Sequence, residues 1–157
     1  MSELLVVGGG IMGLWAALGA ARRGMTVRLV EQQAIGAGAS GGLLGALMPH
    51  MPDRWNDKKQ FQFDALVAIE EEIAALEAET GLSTGYRRTG RLIPLAKPHL
   101  RDIALRHEQD ALSHWRAADR QFHWHVKDEG PEGWPGAEAA AHGMVFDTLA
   151  ARVSPRR

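Results

Sequence analysis

Cysteine is missing from this sequence of 157 residues. Disulfide bonds, thiolate nucleophiles and cysteine-ligated metals are therefore excluded, and a reducing compartment is permitted. Long apolar runs are missing too, because three glycines at 8–10 and two arginines at 22–23 interrupt the amino-terminal apolar region. No stretch reaches the ~20 apolar residues that a membrane-spanning helix needs. The first residues lack the basic character of a secretory signal. These absences predict a cytoplasmic protein with no membrane partner.

Excess charge of either sign is the third absence. The chain has 18 basic and 19 acidic residues, which gives a formal net charge of -1. Binding to nucleic acid through bulk charge is therefore not indicated, and DNA is not expected as a partner. Apolar residues are abundant at 45% of the chain, which is enough for one domain with a core and short for two.

Local patterns at the amino terminus predict a strand, a glycine turn, a helix and a second strand. Residues 4–7 are all apolar and end at a glycine, which is typical of a strand buried on both faces of a parallel sheet. Residues 11–23 are rich in alanine and leucine, and Gly24 follows as a helix C-cap. The β-branched residues in 26–30 predict the second strand.

Gly8, Gly10 and Gly13 have G-x-G-x-x-G spacing between this strand and this helix. The first glycine permits a tight turn, the second lets a pyrophosphate approach the backbone, and the third lets the helix pack closely. Free N–H groups and the dipole at the helix start bind a diphosphate without a lysine. Glu31 ends the second strand, where a carboxylate accepts hydrogen bonds from ribose hydroxyls and repels a 2′-phosphate. FAD or NAD is therefore expected rather than NADP.

A second glycine-rich segment, residues 36–45, follows the second strand. It also carries leucines that a solvated linker would not favour, so we expect a packed loop whose backbone approaches a ligand. Its amides and the hydroxyl of Ser40 favour FAD, the larger cofactor lying along the loop. Two alternatives stay open, an NAD-dependent dehydrogenase and a non-catalytic nucleotide-binding module.

The next segment predicts a long helix. Asn56 is a helix-capping residue type, and the helix is expected to run to about Thr80 and to end at Gly81. Its acidic run is expected on a solvated face. The predicted core face consists of five residues, Phe61, Ala65, Ile69, Ile73 and Leu76.

Residues 86–95 predict two short strands around a turn at 89–90, with Pro94 at an edge. The arginines of this segment are expected on a surface hairpin, with contact to an anionic substrate or to RNA as the alternative. A second helix is predicted over 99–117, residues 128–143 are expected to be irregular, and residues 153–157 resemble a helix start. The core face of the second helix consists of Leu100, Ala104, His107 and Ala111.

The histidines meet no ligand-spacing rule, so no metal site is expected. His123 and His125 are predicted to lie on one face of a strand. His50 follows the second glycine-rich segment. We interpret it as a loop histidine rather than as a flavin contact or a covalent attachment point.

Four segments together resemble the amino-terminal part of the D-amino-acid oxidase/glycine oxidase family of FAD-dependent oxidoreductases. They read VVGGGIMGLWAALGAARRGMTVRLVEQ, GAGASGGLLGALMP, YRRTGRLIPL and FDTLAARVSPR. The resemblance implies an α/β fold, with an incomplete Rossmann-like FAD-binding segment in residues 1–55. It also implies the start of an α+β substrate domain in residues 56–157.

The resemblance implies a role for twelve residues around FAD. The pyrophosphate would be held by Gly8, Gly10, Ile11, Met12 and Gly13, and also by Ala39 and Ser40. The adenosine ribose would be held by Glu31 and Gln32. The isoalloxazine would be flanked by Leu44, Gly45 and Ala46.

Members of that family transfer a hydride from a carbon bearing an amine to flavin N5, and the imine then hydrolyses. A small-molecule amine or amino-acid substrate is therefore implied. The segment ASGGLLGALMP also resembles the flavin domain of a bifunctional enzyme family that matures a tRNA wobble uridine, so a tRNA-borne amine is a less expected alternative. The family's later strands and substrate contacts have no counterpart here. We therefore expect an amino-terminal fragment, inactive alone, and name no catalytic residue.

Overall fold

The structure is a computed structural model that describes residues 3–130 and 134–154. The chain divides into two compact units, one running to Gly45 and the other from Ala46 to Val153. The length of the chain alone predicts a single domain. The boundary at residue 55, between a FAD-binding segment and the start of a substrate domain, stays a prediction.

The helices are α1 (Ile11–Arg22), α2 (Asp57–Thr80) and α3 (Pro98–His114), with a 3-10 turn at Ala39–Gly41. The strands are β1 (Glu3–Val7), β2 (Thr26–Val30), β3 (Gly45–Leu47), β4 (Arg91–Pro94), β5 (Arg116–Ala117), β6 (Arg120–Gln121), β7 (Trp124–Lys127), β8 (Met144–Asp147) and β9 (Ala151–Val153).

The first unit is a strand–helix–strand motif with a parallel pair of strands. β1 and β2 pair from Glu3 opposite Thr26 to Val7 opposite Val30. α1 ends where Gly24 adopts φ +77°, a left-handed conformation that glycine enters without a steric penalty. The prediction of an incomplete Rossmann-like α/β segment is confirmed.

The second unit has a conventional core. β4, β8 and β7 form an antiparallel sheet in that order, β3 pairs with β9, and β5 pairs with β6. The buried side chains come from α2, α3, the sheet and the turns between them. The ten that pack into the main hydrophobic cluster are Phe63, Leu66, Leu95, Ala104, Ala111, Trp115, Phe122, Trp124, Val145 and Leu149.

The predicted bounds of α2 are correct, but its predicted core face is only partly so, because Ile73 is buried as expected whereas Phe61 and Ala65 are exposed. The Asn56 side chain caps the helix by accepting a hydrogen bond from the Lys59 N–H, and Gly81 ends it at φ +69°. Phe61 is 78% exposed, whereas Phe63 is buried. Steps of four residues drift around a helix of 3.6 residues per turn, so Phe61 lies roughly 120° from Ile73. Ala65 is exposed for the same reason, and Leu66 is buried instead.

The predicted core face of the second helix is correct, but the helix is shorter than predicted. Ala104 and Ala111 are buried as expected. α3 ends at His114, because the Trp115 side chain turns fully into the core and the next residues form the β5–β6 pair.

The hairpin predicted over residues 86–95 does not form. Only β4 is a strand there, and it pairs with β8 at the edge of the sheet, where Pro94 is tolerated. Arg87 instead forms an isolated antiparallel bridge with Arg152. The two halves of the segment therefore pair with different partners. The helix start predicted at 153–157 is not seen at Val153, which ends β9, and residues 155–157 lie outside the described residues.

Candidate cofactor site

Two glycines of the first turn, where β1 passes into α1, resist replacement for different reasons. Gly8 has φ +105°, a conformation that L-residues rarely adopt. A Cβ built on Gly13 would overlap the carbonyl oxygen of Gly8. Glycine is therefore required at the first and third positions of the motif by backbone geometry and by close packing.

The carboxylate of Glu31 lies against this turn. Its Oε2 accepts a hydrogen bond of 2.6 Å from the Gly9 N–H, and its Oε1 accepts one of 3.0 Å from the Gln33 N–H. Hydrogen bonds from the backbone of Gln33 and of Gly9 lower the pKa of Glu31. An ionised carboxylate is therefore held beside the glycine turn in an orientation set by the backbone.

The second glycine-rich loop repeats the geometry of the first. Gly36, Gly38 and Gly41 also have G-x-G-x-x-G spacing, which our reading of the sequence missed although it is visible there. Gly36 has φ +74°, and a Cβ on Gly41 would overlap the carbonyl oxygen of Gly36. The Gly36 N–H donates to the Gly9 carbonyl at 2.9 Å, which joins the two glycine turns.

Ser40 connects the second loop to the start of α1. Gly10 occupies the N-cap position and has no side chain to cap the helix. The hydroxyl oxygen of Ser40 instead accepts a hydrogen bond of 2.9 Å from the Ile11 N–H. The N–H groups of Met12 and Gly13 have no hydrogen-bond partner within residues 3–130 and 134–154. The helix start therefore presents free backbone donors, as a bound diphosphate requires.

The remaining predicted cofactor residues lie in or beside the two glycine segments. Gln32, Ala39 and Leu44 are exposed, and Gly45 and Ala46 are the first residues of β3. The structure thus brings the diphosphate and ribose candidates together in the first unit. The placement of Leu44, Gly45 and Ala46 beside the isoalloxazine stays a prediction.

The arginines predicted on a surface hairpin have structural partners instead. Arg88 Nε lies 2.8 Å from Glu70 Oε1, and Arg91 Nη2 lies 2.9 Å from Asp147 Oδ2. Asp147 is fully buried, and burial raises the pKa of its carboxyl while Arg91 opposes that rise. Of the three arginines, only Arg87 is exposed.

The predicted histidine pair is present: His125 lies in β7, and His123 is the residue before that strand. The rings of His123 and His125 stack at 4.6 Å between centroids. Burial lowers the pKa of His125. Within the described part of the chain, no group of three or more His, Cys, Asp or Glu residues is arranged to hold a metal ion. No helix in that part is long and apolar enough to cross a membrane.

A strand, a glycine turn with free backbone donors, a helix and a carboxylate at the end of the second strand are the elements of a dinucleotide-binding βαβ segment. The family model for FAD-dependent oxidoreductases (DAO) matches residues 3–157. The chain belongs to this family. The predicted cofactor, FAD, and the resemblance to D-amino-acid and glycine oxidases are confirmed, and the alternative of an NAD-dependent dehydrogenase is set aside.

Solved structures with the same fold include a glycine oxidase and an L-amino acid deaminase. The chain superposes on glycine oxidase from Geobacillus kaustophilus with a TM-score of 0.72 at 18% identity, covering 99% of this chain and 42% of that one. It superposes on L-amino acid deaminase from Proteus vulgaris with a TM-score of 0.70 at 21% identity, covering 99% and 39%. At this identity the likeness shows the fold alone.

The curated relatives are two tRNA 5-methylaminomethyl-2-thiouridine biosynthesis bifunctional proteins. The one from Chromohalobacter salexigens is 35% identical over 80 residues, which is 51% of this chain and 11% of the relative. The one from Nitrosospira multiformis is 35% identical over 107 residues, which is 60% of this chain and 17% of the relative. The chain therefore spans less than a fifth of the length of these relatives and less than half of the solved neighbours.

Proposed function

We propose that this chain is the FAD-binding amino-terminal portion of an oxidoreductase that oxidises an amine or amino acid. The observation that carries the proposal is the carboxylate of Glu31, held beside the first glycine turn by hydrogen bonds from Gly9 and Gln33. When bound, FAD supplies the acceptor for a hydride from the carbon that bears the amine. The resemblance of four sequence segments to amine-oxidising enzymes supports that substrate class.

The contribution of this chain is to bind and orient the cofactor. The N–H groups of Met12 and Gly13 point from the start of α1 and would donate to the diphosphate. The hydroxyl of Ser40 already accepts from Ile11, and its own hydrogen is available to a phosphate oxygen. Glu31 would exchange its backbone donors for the ribose hydroxyls, which a carboxylate accepts in pairs. None of these groups needs a change of charge at neutral pH.

A second candidate substrate is an amine carried on tRNA. It is favoured by the curated relatives, whose names place them in the biosynthesis of a methylaminomethyl nucleoside of tRNA. We rank it below a small molecule because the net charge of -1 gives no general attraction to nucleic acid. A cytoplasmic location stays a prediction.

The test begins with the purified full-length gene product. We expect a yellow protein whose flavin is released on denaturation and is bleached anaerobically by glycine, a D-amino acid or sarcosine. Bleaching by unmodified small amines would support the first candidate, and bleaching by aminomethylated tRNA alone would support the second. A bound flavin that neither kind of amine reduces would contradict both, and would favour a non-catalytic nucleotide-binding module.

A matched pair of variants tests the role of Glu31. Glu31→Gln removes the charge that receives the ribose hydroxyls and is expected to weaken FAD binding by about tenfold or more. Gln33→Ala is the control, because Gln33 contacts Glu31 only through its backbone N–H. Equal FAD affinity of the two variants, measured by equilibrium dialysis, would show that Glu31 does not contribute to FAD binding.

A further inference from the structure

Two arginines of the second unit lie directly opposite each other on neighbouring extended segments. Arg87 and Arg152 form the isolated antiparallel bridge, in which the backbone N–H of each donates to the carbonyl of the other at 2.9 Å. Opposite residues of such a bridge project their side chains from the same face, with Cβ atoms about 5 Å apart. The two guanidinium groups therefore belong to one small surface, which we call the arginine pair.

Both guanidinium groups contact the backbone just before Arg87. Arg87 Nη1 donates to the Tyr86 carbonyl at 2.7 Å, and Arg152 Nη1 donates to the Gly85 carbonyl at 3.5 Å. Within residues 3–130 and 134–154, the Nη2 and Nε atoms of the two side chains have no hydrogen-bond partner. Arg87 is exposed and Arg152 is half-buried. Each side chain therefore keeps N–H donors for a ligand.

The charge of the arginine pair is not neutralised by a salt bridge within the part of the chain that the structure describes. The carboxylate of Glu77 accepts from the N–H and the hydroxyl of Thr84. These hydrogen bonds lower the pKa of Glu77 most, and the charge of Arg87 lowers it further without a direct contact. By contrast, salt bridges hold five other arginines of the unit, Arg54, Arg88, Arg91, Arg101 and Arg120.

This arrangement of two cations costs stability. Like charges directly opposite each other on antiparallel strands repel and destabilise the pairing. The bridge forms because neighbouring contacts hold its two segments together. The Gly90 N–H donates to the Ala150 carbonyl at 3.1 Å, and the Arg88 side chain donates to the Leu149 carbonyl. The fold thus keeps two arginines side by side, where a neutral residue would favour the bridge more.

We propose that the arginine pair contacts the phosphodiester backbone of RNA. The inference rests on the second candidate substrate proposed above, an amine carried on tRNA. A guanidinium matches the oxygens of a phosphate with parallel N–H donors, and a phosphate between the two arginines replaces their repulsion by two attractions. Contacts of this kind position a nucleic acid and read no base, and an open strand surface suits that role. Because the net charge of the chain is -1, the attraction depends on local groups such as this pair.

The main test measures how tRNA binding by the full-length holoenzyme depends on salt. Fluorescence anisotropy of fluorescein-labelled bulk tRNA gives the affinity over a range of KCl concentrations. Removing one phosphate contact lowers the slope of log affinity against log salt concentration by about one. Arg87→Gln and Arg152→Gln should each show that change, and the double variant should show about twice as much. At low salt the double variant should bind about tenfold more weakly than the parent.

Arg116→Gln is the matched control, because Arg116 is an exposed arginine of the same unit that lies on β5 and outside the arginine pair. It should leave the affinity and the slope unchanged. A double variant with the affinity and slope of this control would overturn the proposal, as would a parent protein that does not bind tRNA. Displacement of tRNA by millimolar inorganic phosphate at constant ionic strength would also overturn it, since the pair would then be a site for a free phosphate ion.

Urea unfolding supplies a readout that does not use RNA. Removing one member of a repelling pair should move the unfolding midpoint of Arg87→Gln to a slightly higher urea concentration, and salt should screen the difference. Arg116→Gln should unfold with the parent. A lower midpoint for Arg87→Gln would show that this arginine stabilises the bridge, and would overturn its assignment as a cation kept for a ligand.

These outcomes are separate from those that test the proposed function. Reduction of the flavin by small amines, with no binding of tRNA, would overturn this inference alone. Binding of tRNA that depends on the arginine pair would support it even if no amine reduced the flavin.

Discussion

The two units of this chain obtain their structure in different ways. In the first, among its described residues, Ala20 is the only buried apolar side chain, and Val7 on β1 is 78% exposed. In the second, Trp115, Val145 and Leu149 have no exposed surface. The first unit is therefore specified by glycine conformations and backbone hydrogen bonds, whereas the second is specified by side chains that meet across the sequence.

Polar contacts in the second unit show the same dependence on distant partners. Arg88 bonds to Glu70 through Nε and to the Leu66 and Leu149 carbonyls through its Nη atoms. Its guanidinium also lies 5.3 Å from the Phe122 ring centroid. One arginine thus joins α2, the turn after β8 and the residue after β6. No comparable side chain holds the described part of the first unit, where Glu31 and Ser40 bond to backbone N–H groups.

The largest expected effect comes from breaking the glycine geometry of the first unit. Gly13→Ala places a Cβ on the carbonyl oxygen of Gly8, so the helix must move away from the turn that would hold the diphosphate. We expect complete loss of bound FAD from the purified full-length protein, measured by absorbance. Hydrogen exchange of the β4–β8–β7 sheet amides should be unchanged, because the core of the second unit contains no residue of the turn.

Gly19→Ala is the matched control for Gly13→Ala. Gly19 lies on the same helix, and a Cβ there meets only the flexible end of the Arg23 side chain, at 3.4 Å. Alanine favours a helix over glycine by about 1 kcal/mol, so this variant should keep FAD and melt slightly higher. Loss of FAD from both variants would show that α1 tolerates no added side chain at either glycine. The close packing of Gly13 on Gly8 would then not explain the loss.

The second prediction tests the core of the second unit. Phe63→Ala empties a buried site between Trp55 and Phe122 and should lower the free energy of unfolding by about 3–5 kcal/mol. Phe61→Ala, two residues earlier, should change it by less than about 0.5 kcal/mol. Urea unfolding followed by tryptophan fluorescence measures both. A larger loss of unfolding free energy for Phe61→Ala than for Phe63→Ala would instead support the core face predicted from the sequence.

Much of the first unit could be predicted because its determinants are local. The turn at Gly8, the helix end at Gly24 and the position of Glu31 each follow from a few adjacent residues and their conformational preferences. The same locality makes the repeated spacing at Gly36–Gly41 readable from the sequence. The composition of this segment predicts only a packed loop, whereas its spacing also predicts a second glycine turn.

The polar interior of the second unit could not be predicted in this way. Arg91 and Asp147 are 56 positions apart, and Arg88 and Leu149 are 61 apart. No local pattern links residues at such separations, so the sequence predicts these arginines on the surface, where most arginines lie. Helix bounds were easier, since the Asn56 cap and Gly81 act within one turn.

The third prediction uses pH to test the network around Glu70. Hydrogen bonds from Arg120 and Arg88 lower the pKa of Glu70 below 4.5, its ordinary value. A carboxyl with a lowered pKa in the folded state stabilises the fold above its unfolded pKa, and this stabilisation is lost as the pH falls through the folded pKa. Glu70→Gln should therefore cost about 2 kcal/mol at neutral pH. The difference from the parent should shrink below about pH 4.5.

Glu71→Gln is the control for that pH series, because Glu71 is adjacent and exposed. It should track the parent protein at every pH in urea unfolding. A Glu70→Gln variant whose deficit stays constant into acid would show that the loss comes from altered packing, and the charge network would then carry none of the difference between the two units.

The smallest expected effect concerns Ser40, whose side chain joins the second glycine turn to the start of α1. Ser40→Ala leaves the Ile11 N–H without its acceptor, and losing a helix cap typically costs about 1 kcal/mol. Because the first unit has so little buried apolar surface, we expect the lost stability to appear as local opening around the start of α1. Hydrogen exchange at the Ile11 amide should quicken about fivefold. Ser40→Thr keeps the hydroxyl and should retain protection, while amides of the β4–β8–β7 sheet should exchange at parent rates in both variants. If the sheet amides quickened equally, the first unit would not open independently, and the contrast between backbone-specified and packing-specified units would fail.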